Sequence, residues 1–97
     1  MQRQFVMTRG VADWCATSEV RDFVNEAIAE HLQDPEHGVC TEDGLENLNA
    51  LARMGQGLAG RVLTSHIYGP SRKIWVITEW GDEAAEVLTT VLFPEEY

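Results

Sequence analysis

Lys73-Ile74-Trp75-Val76-Ile77-Thr78-Glu79 decides the fold of this chain. The run is dense in β-branched and aromatic side chains. Gly69-Pro70-Ser71 precedes it, and a connection over 80–85 carrying Gly81-Asp82 follows it. That pattern reads as a strand between two turns. Two runs of the same character flank it, residues 61–68 (RVLTSHIY) and 87–93 (VLTTVLF). Three successive strands with short connections predict an antiparallel meander. Its apolar face needs a cover, and the residues before 61 must supply it.

Upstream, residues 18–33 carry Val20, Phe23, Val24, Ala27, Ile28, His31 and Leu32 at three- and four-residue spacing, the apolar stripe of a helix. Thr17 or Ser18 can cap it, Glu19 and Asp22 suit its first turn, and Asp34-Pro35 stops it. A second helix is expected over 42–54, with Thr41 as its cap and Gly55 just past its end. Leu45, Leu48, Leu51 and Ala52 should supply its buried side. Residues 3–9 (RQFVMTR) read as a short first strand at a sheet edge. Gly10 then acts as a breaker, and a helical turn over 11–16 carries Trp14. The expected fold class is α+β, one domain over 1–97. It is a two-layer sandwich in β-α-α-β-β-β order, two helices on an antiparallel sheet of three to four strands.

The 97 residues fit one core. No stretch approaches the ~20 apolar residues of a bilayer span. The first residues lack an apolar run before a small-residue cleavage site, so a cytoplasmic location is expected. Cys15 and Cys40 are then expected as reduced thiols, Cys15 as a small core residue. Sixteen Asp and Glu against seven Lys and Arg give a net charge of −9. This disfavours direct binding to nucleic acid or to an anionic membrane, which needs cations. It favours a protein partner with a basic surface, although acidity also serves plain solubility.

The ends of the chain carry a likeness. The strand at 73–79 (KIWVITE) and the C-terminus Thr89-Thr90-Val91-Leu92-Phe93-Pro94-Glu95-Glu96-Tyr97 resemble small bacterial plasmid-related proteins with a K-(I/V)-W-(I/V)-I-T-E strand and a T-T-V-L-(L/F)-P-E-E-Y end. The chain is similar to the domain-of-unknown-function 960 family of firmicutes and their phages, which pairs an N-terminal T-R-G with a C-terminal P-E-E-Y. Thr8-Arg9-Gly10 and Pro94-Glu95-Glu96-Tyr97 stand at those places here. The middle departs: Glu36-His37-Gly38-Val39-Cys40 replaces an acidic G-D-W-G-type loop, and the segment 81–87 is longer. The resemblance implies a mobile-element context and no settled activity.

Candidate sites follow from charge. Glu19, Asp22, Glu26 and Glu30 lie three or four residues apart on one side of the first helix, roughly 120° from its apolar stripe. Their ~6 Å steps are comparable with phosphate spacing, so the row can imitate a nucleic-acid backbone. It can equally be a solvated face. Asp34, Glu36, Glu42, Asp43 and Glu46 extend the acidic region. Trp75 is a further partner-binding candidate on the sheet face opposite Ile74 and Val76, unless the N-terminal segment covers it.

No cofactor or metal is expected. His31, His37 and Cys40 have the spacing H-x5-H-x2-C, which fits no standard zinc pattern. Ser18, Ser65 and His66 lack a G-x-S-x-G elbow, and Gly55-Gln56-Gly57 is too short for a phosphate loop. His66 is expected as an ordinary strand residue. The reading is therefore a non-enzymatic acidic inhibitor, anti-CRISPR or anti-restriction in kind, blocking a partner's nucleic-acid-binding surface. The alternative is a homo-oligomeric domain, self-paired through a strand edge or the Trp75 face.

Overall fold

The computed structural model describes residues 2–70, 72–84 and 86–97. Ser71 and Ala85, at the ends of the two expected connections, lie outside that range. The elements run β1 (Gln2–Met7), α1 (Arg9–Trp14), α2 (Ser18–Gln33), α3 (Thr41–Gly55), β2 (Gly60–Tyr68), β3 (Arg72–Trp80) and β4 (Glu86–Leu92), with 3-10 turns at Asp82–Ala84 and Pro94–Glu96. The class is α+β, as the patterns require. No helix among the described residues is long and apolar enough to cross a membrane.

The sheet order is β1-β4-β3-β2. The meander β2-β3-β4 is antiparallel, and β1 joins the edge as expected, but it runs parallel to β4. The long excursion through three helices brings β1's neighbour back in the same direction, so the sheet is mixed.

Register puts Val62, Thr64 and His66 of β2 on one face with Ile74, Val76, Thr78 and Trp80 of β3 and Val87, Thr89 and Val91 of β4. Two apolar clusters form there. Val11, Val20, Val24 and Ala27 pack on Ile74, Val76, Val91 and Phe93. Ala50 packs on Val62, Trp80 and Val87. Half-buried Cys15 lines the first cluster, and both cysteines are free.

Several boundaries differ from expectation for identifiable reasons. Thr17, rather than Ser18, caps α2, accepting from the Val20 N–H at 3.3 Å. Cys40 holds the cap position of α3, and Thr41 is already helical. The glycine with positive φ beyond α3 is Gly57, at 76°, while Gly55 closes the helix itself. Gly10 does not break the chain but sits in the first turn of α1, which Thr8 caps, and a Cβ there would lie 2.6 Å from Glu96 Oε2.

The largest correction concerns α3. Leu45, Leu48 and Leu51 are 53%, 41% and 40% exposed, and Ala52 is exposed as well. The buried side is instead Gly44, Asn47 and Ala50. These small residues let α3 approach the open edge of β2. There the Asn47 amide donates to Leu63 O at 2.8 Å and to Pro35 O at 2.6 Å, while Leu63 N–H donates to Asn47 Oδ1 at 3.2 Å. Asn47 thus stands in for a neighbouring strand. His37 continues the cover, its main-chain oxygen accepting from Ser65 N–H at 3.3 Å. Leu32, placed in the α2 stripe by periodicity, is also exposed.

Candidate functional site

A polar seam divides the two apolar clusters. His31, from the last turn of α2, is buried and reaches down onto the sheet. Its Nδ1 lies 2.7 Å from Thr64 Oγ1 and its Nε2 lies 2.7 Å from Thr78 Oγ1. Thr78 Oγ1 pairs with Thr89 Oγ1 across strands at 2.8 Å, and Thr64 Oγ1 also pairs with His66 Nε2 at 2.7 Å. Every member has a partner, as burial demands. Burial lowers the His31 pKa from 6.5 to about 4, and His66 nearby adds to this.

At the surface end of the seam His66, 1% exposed, turns its Nδ1 toward Glu30 Oε1 at 3.4 Å. Burial first, then neighbouring His37, lowers its pKa, while Glu30 pulls the other way. His37 Nε2 lies 3.1 Å from Glu30 Oε2, and His37 Nδ1 lies 3.0 Å from Ser65 O. The two imidazoles stack, centroids 4.4 Å apart and planes 12° apart. Glu30, His37 and His66 therefore place one donor atom each within 4.8 Å of one another. Among the described residues they form the one such His, Cys, Asp and Glu trio.

Hydrogen-bond directions follow from what each group can do. Glu30's carboxylate only accepts, so His66 Nδ1–H donates to it. His66 Nε2 then accepts from Thr64 O–H, and Thr64 accepts from His31 Nδ1–H. His31 Nε2 accepts from Thr78 O–H, and Thr78 accepts from Thr89. One directed chain links the sheet centre to the surface carboxylate. His31 and His66 are neutral in it, in keeping with their lowered pKa values.

The acidic candidates fare differently. All sixteen carboxylates occupy exposed positions. Among the described residues Glu95 pairs with Arg72 at 3.4 Å, and Glu30 is held by the two histidines. Glu19, Asp22 and Glu26 stand on the outer face of α2. Glu30 shares their row but is held by the histidines. Glu19 also accepts from the Tyr68 hydroxyl, which raises the tyrosine's pKa. Asp34, Glu36 and Glu42 follow on the loop and the start of α3; Asp34 Oδ1 accepts from Glu36 N–H at 3.1 Å. Asp43 and Glu46 open onto a broad groove of about 1100 Å³, shared with Glu79, Asp82, Glu86 and the cations Arg53 and Arg61.

Trp75 is half-buried, and what covers it is the C-terminus rather than the N-terminal segment. Tyr97 meets it edge-on with centroids 5.7 Å apart. Arg61 Nη1 in turn donates to the Tyr97 hydroxyl.

The metal reading of His31, His37 and Cys40 is replaced. His31 spends both ring nitrogens on threonines, and Cys40 caps α3 in the open. Glu30 and His66 take their places beside His37. Helical spacing put Glu30 among surface acids, and 28 residues separate His37 from Ser65, next to His66. No local motif announces the trio; only the closure of the loop onto β2 assembles it.

No family model matches the chain, and neither a curated protein nor a solved structure matches it.

Proposed function

We propose that this protein is a non-enzymatic acidic binding module that occupies a basic, nucleic-acid-binding surface of a partner protein and inhibits it. A CRISPR or restriction enzyme is the expected kind of target. The observation that carries this reading is the full display of the anions: sixteen exposed carboxylates, of which, among the described residues, Glu95 meets an arginine and Glu30 two histidines. Unpaired charge of one sign, arranged along α2 and continued by Asp34, Glu36, Glu42 and Asp43, steers a cationic surface toward it. The groove beside α3 adds a concave face of the same sign that a protruding lysine or arginine can enter.

The test is charge reversal on the outer face of α2. A triple variant E19K/D22K/E26K should keep its thermal transition and lose capture of the partner, and capture by the native chain should weaken with salt. Undiminished capture by the folded triple variant would dispose of this surface.

A second reading rests on a separate observation. β1 pairs on one side only, and its Phe5, Val6 and Met7 are 50%, 45% and 42% exposed. An open apolar edge is a template for a second copy. Sedimentation separates the two readings: a dimer indifferent to salt and broken by V6K favours self-pairing, and a monomer favours the acidic module.

A further inference from the structure

We propose that Glu30, His37 and His66 bind a divalent transition-metal ion of the zinc class, pinning the end of α2 and the following loop to β2. The donor set, two imidazoles and one carboxylate, suits Zn²⁺ and its neighbours. The separations also suit it. A tetrahedral ion with bonds of about 2.1 Å needs donors about 3.4 Å apart. Glu30 Oε2 to His37 Nε2 spans 3.1 Å, Glu30 Oε1 to His66 Nδ1 spans 3.4 Å, and one donor atom from each residue lies within 4.8 Å of the others, so a modest rotation that unstacks the two rings brings both nitrogens and the carboxylate onto one ion.

The groups behind the donors argue the same way. A metal-bound histidine gives its other ring N–H to a carbonyl, hydroxyl or carboxylate that fixes its tautomer. His37 Nδ1 faces Ser65 O at 3.0 Å, and His66 Nε2 faces Thr64 Oγ1 at 2.7 Å. Both rings are thus backed on the side away from the trio. His37 makes the case sharper. Its two nitrogens face a carbonyl and a carboxylate, both acceptors only. A neutral ring can donate to just one. With a metal on Nε2, that nitrogen uses its lone pair and Nδ1–H still serves Ser65.

Binding has a consequence deeper in the protein. His66 would coordinate through Nδ1 as its other neutral tautomer, the proton that leaves Nδ1 being matched by one taken up from solvent on Nε2, with His31 changing tautomer in the same way; Nε2–H of His66 then donates to Thr64. Thr64 O–H then turns to His31 Nδ1, His31 Nε2–H donates to Thr78, and Thr78 O–H donates to Thr89. The whole seam reverses its polarity with no heavy atom lost from its partners. Glu30 is 48% and His37 32% exposed, so an ion has a path in and solvent can complete its coordination.

The inference does not depend on the acidic-surface reading, and its test has no partner in it. The full chain, stripped with a chelator, is titrated with Zn²⁺ by calorimetry and with Co²⁺ by visible absorption. One ion per chain, a Co²⁺ spectrum of tetrahedral type and a thermal midpoint raised by Zn²⁺ are expected. E30Q and H37Q lie at solvent-reaching positions and should fold. Each should weaken binding by at least about tenfold and remove the thermal shift, whereas C40S and E26Q should leave both intact. Absence of stoichiometric binding, equal binding by E30Q and H37Q, or loss of binding in C40S overturns the site.

Discussion

Thr8 Oγ1 donates a 2.7 Å hydrogen bond to Glu96 Oε1, joining positions 88 apart in the chain. The same carboxylate oxygen accepts from Phe93 N–H at 2.9 Å, and Gly10 lies against the other, Oε2, so closely that a Cβ would displace the carboxylate. Donation by Phe93 and Thr8 holds the Glu96 carboxyl below its usual pKa. Thr8-Arg9-Gly10 and Pro94-Glu95-Glu96-Tyr97, from the two ends of the chain, are therefore the two halves of one structural latch. Arg72 backs it, its guanidinium 3.5 Å from the Phe93 ring centroid and its Nη1 on Glu95.

The latch predicts coupling. T8A and E96A should each lower the thermal midpoint, and the double variant should lose less than the sum of the two, because one bond is common to both, while Thr8 also caps α1 through Val11 N–H and Glu96 also accepts from Phe93 N–H. G10A should lower it as well by pushing Glu96 off Thr8. Strictly additive losses for T8A and E96A would show that the two side chains do not act together.

The buried histidines predict an acid limb of stability. His31 has a folded pKa of about 4 against 6.5 in the unfolded chain. The unfolded state therefore takes up a proton, between those values, that the folded state refuses. Stability from this group is complete above pH 6.5 and is lost as pH falls toward 4. The loss is roughly 3 kcal/mol for that group, with His66 acting in the same direction. Urea titrations of chelator-treated protein from pH 7 to 4.5 should show the decline, and H31Q should flatten it. A wild-type profile level across that range would contradict a neutral buried His31.

Much of the sheet was legible, since β-branched runs at 61–68, 73–79 and 87–93 admit few other conformations. The direction of β1 was not, because pairing partners lie outside any local pattern. α3 misled for a different reason. Periodicity counts apolar area, and by area Leu45, Leu48 and Leu51 outrank Gly44, Asn47 and Ala50. Close approach to a strand edge selects for smallness and for hydrogen-bonding capacity instead, which a hydropathy pattern does not register. His66 was legible as a strand residue but not as a partner of Glu30, since that contact joins a helix end to a strand through the fold.

The threonines of the seam predict a penalty that volume does not explain. T64V and T78V keep nearly the same shape but remove a hydroxyl that His31 needs. Leaving a buried ring nitrogen unpaired costs about 1–3 kcal/mol. T64V also strips His66 Nε2 of its partner and T78V also strips Thr89, so the two losses should be similar. Chemical denaturation would measure both; losses below a few tenths of a kcal/mol would mean that water replaces the hydroxyls.

Asn47 makes the last and most specific case. Its carboxamide both donates to and accepts from Leu63, as a facing strand would, and it also secures Pro35 near the start of the α2–α3 loop. N47A removes three hydrogen bonds and leaves Leu63 N–H and O without partners, a loss of about 1–3 kcal/mol. N47D keeps the shape and the acceptor but sets a carboxylate against two carbonyl oxygens, so it should be at least as harmful despite its smaller change in volume. Both variants also uncover a length of β2 edge, which invites strand addition by another chain. Light scattering at rising concentration should therefore show association in the variants under conditions where the native protein stays disperse. Destabilisation without association would assign Asn47 to loop anchoring alone and remove its role as an edge guard.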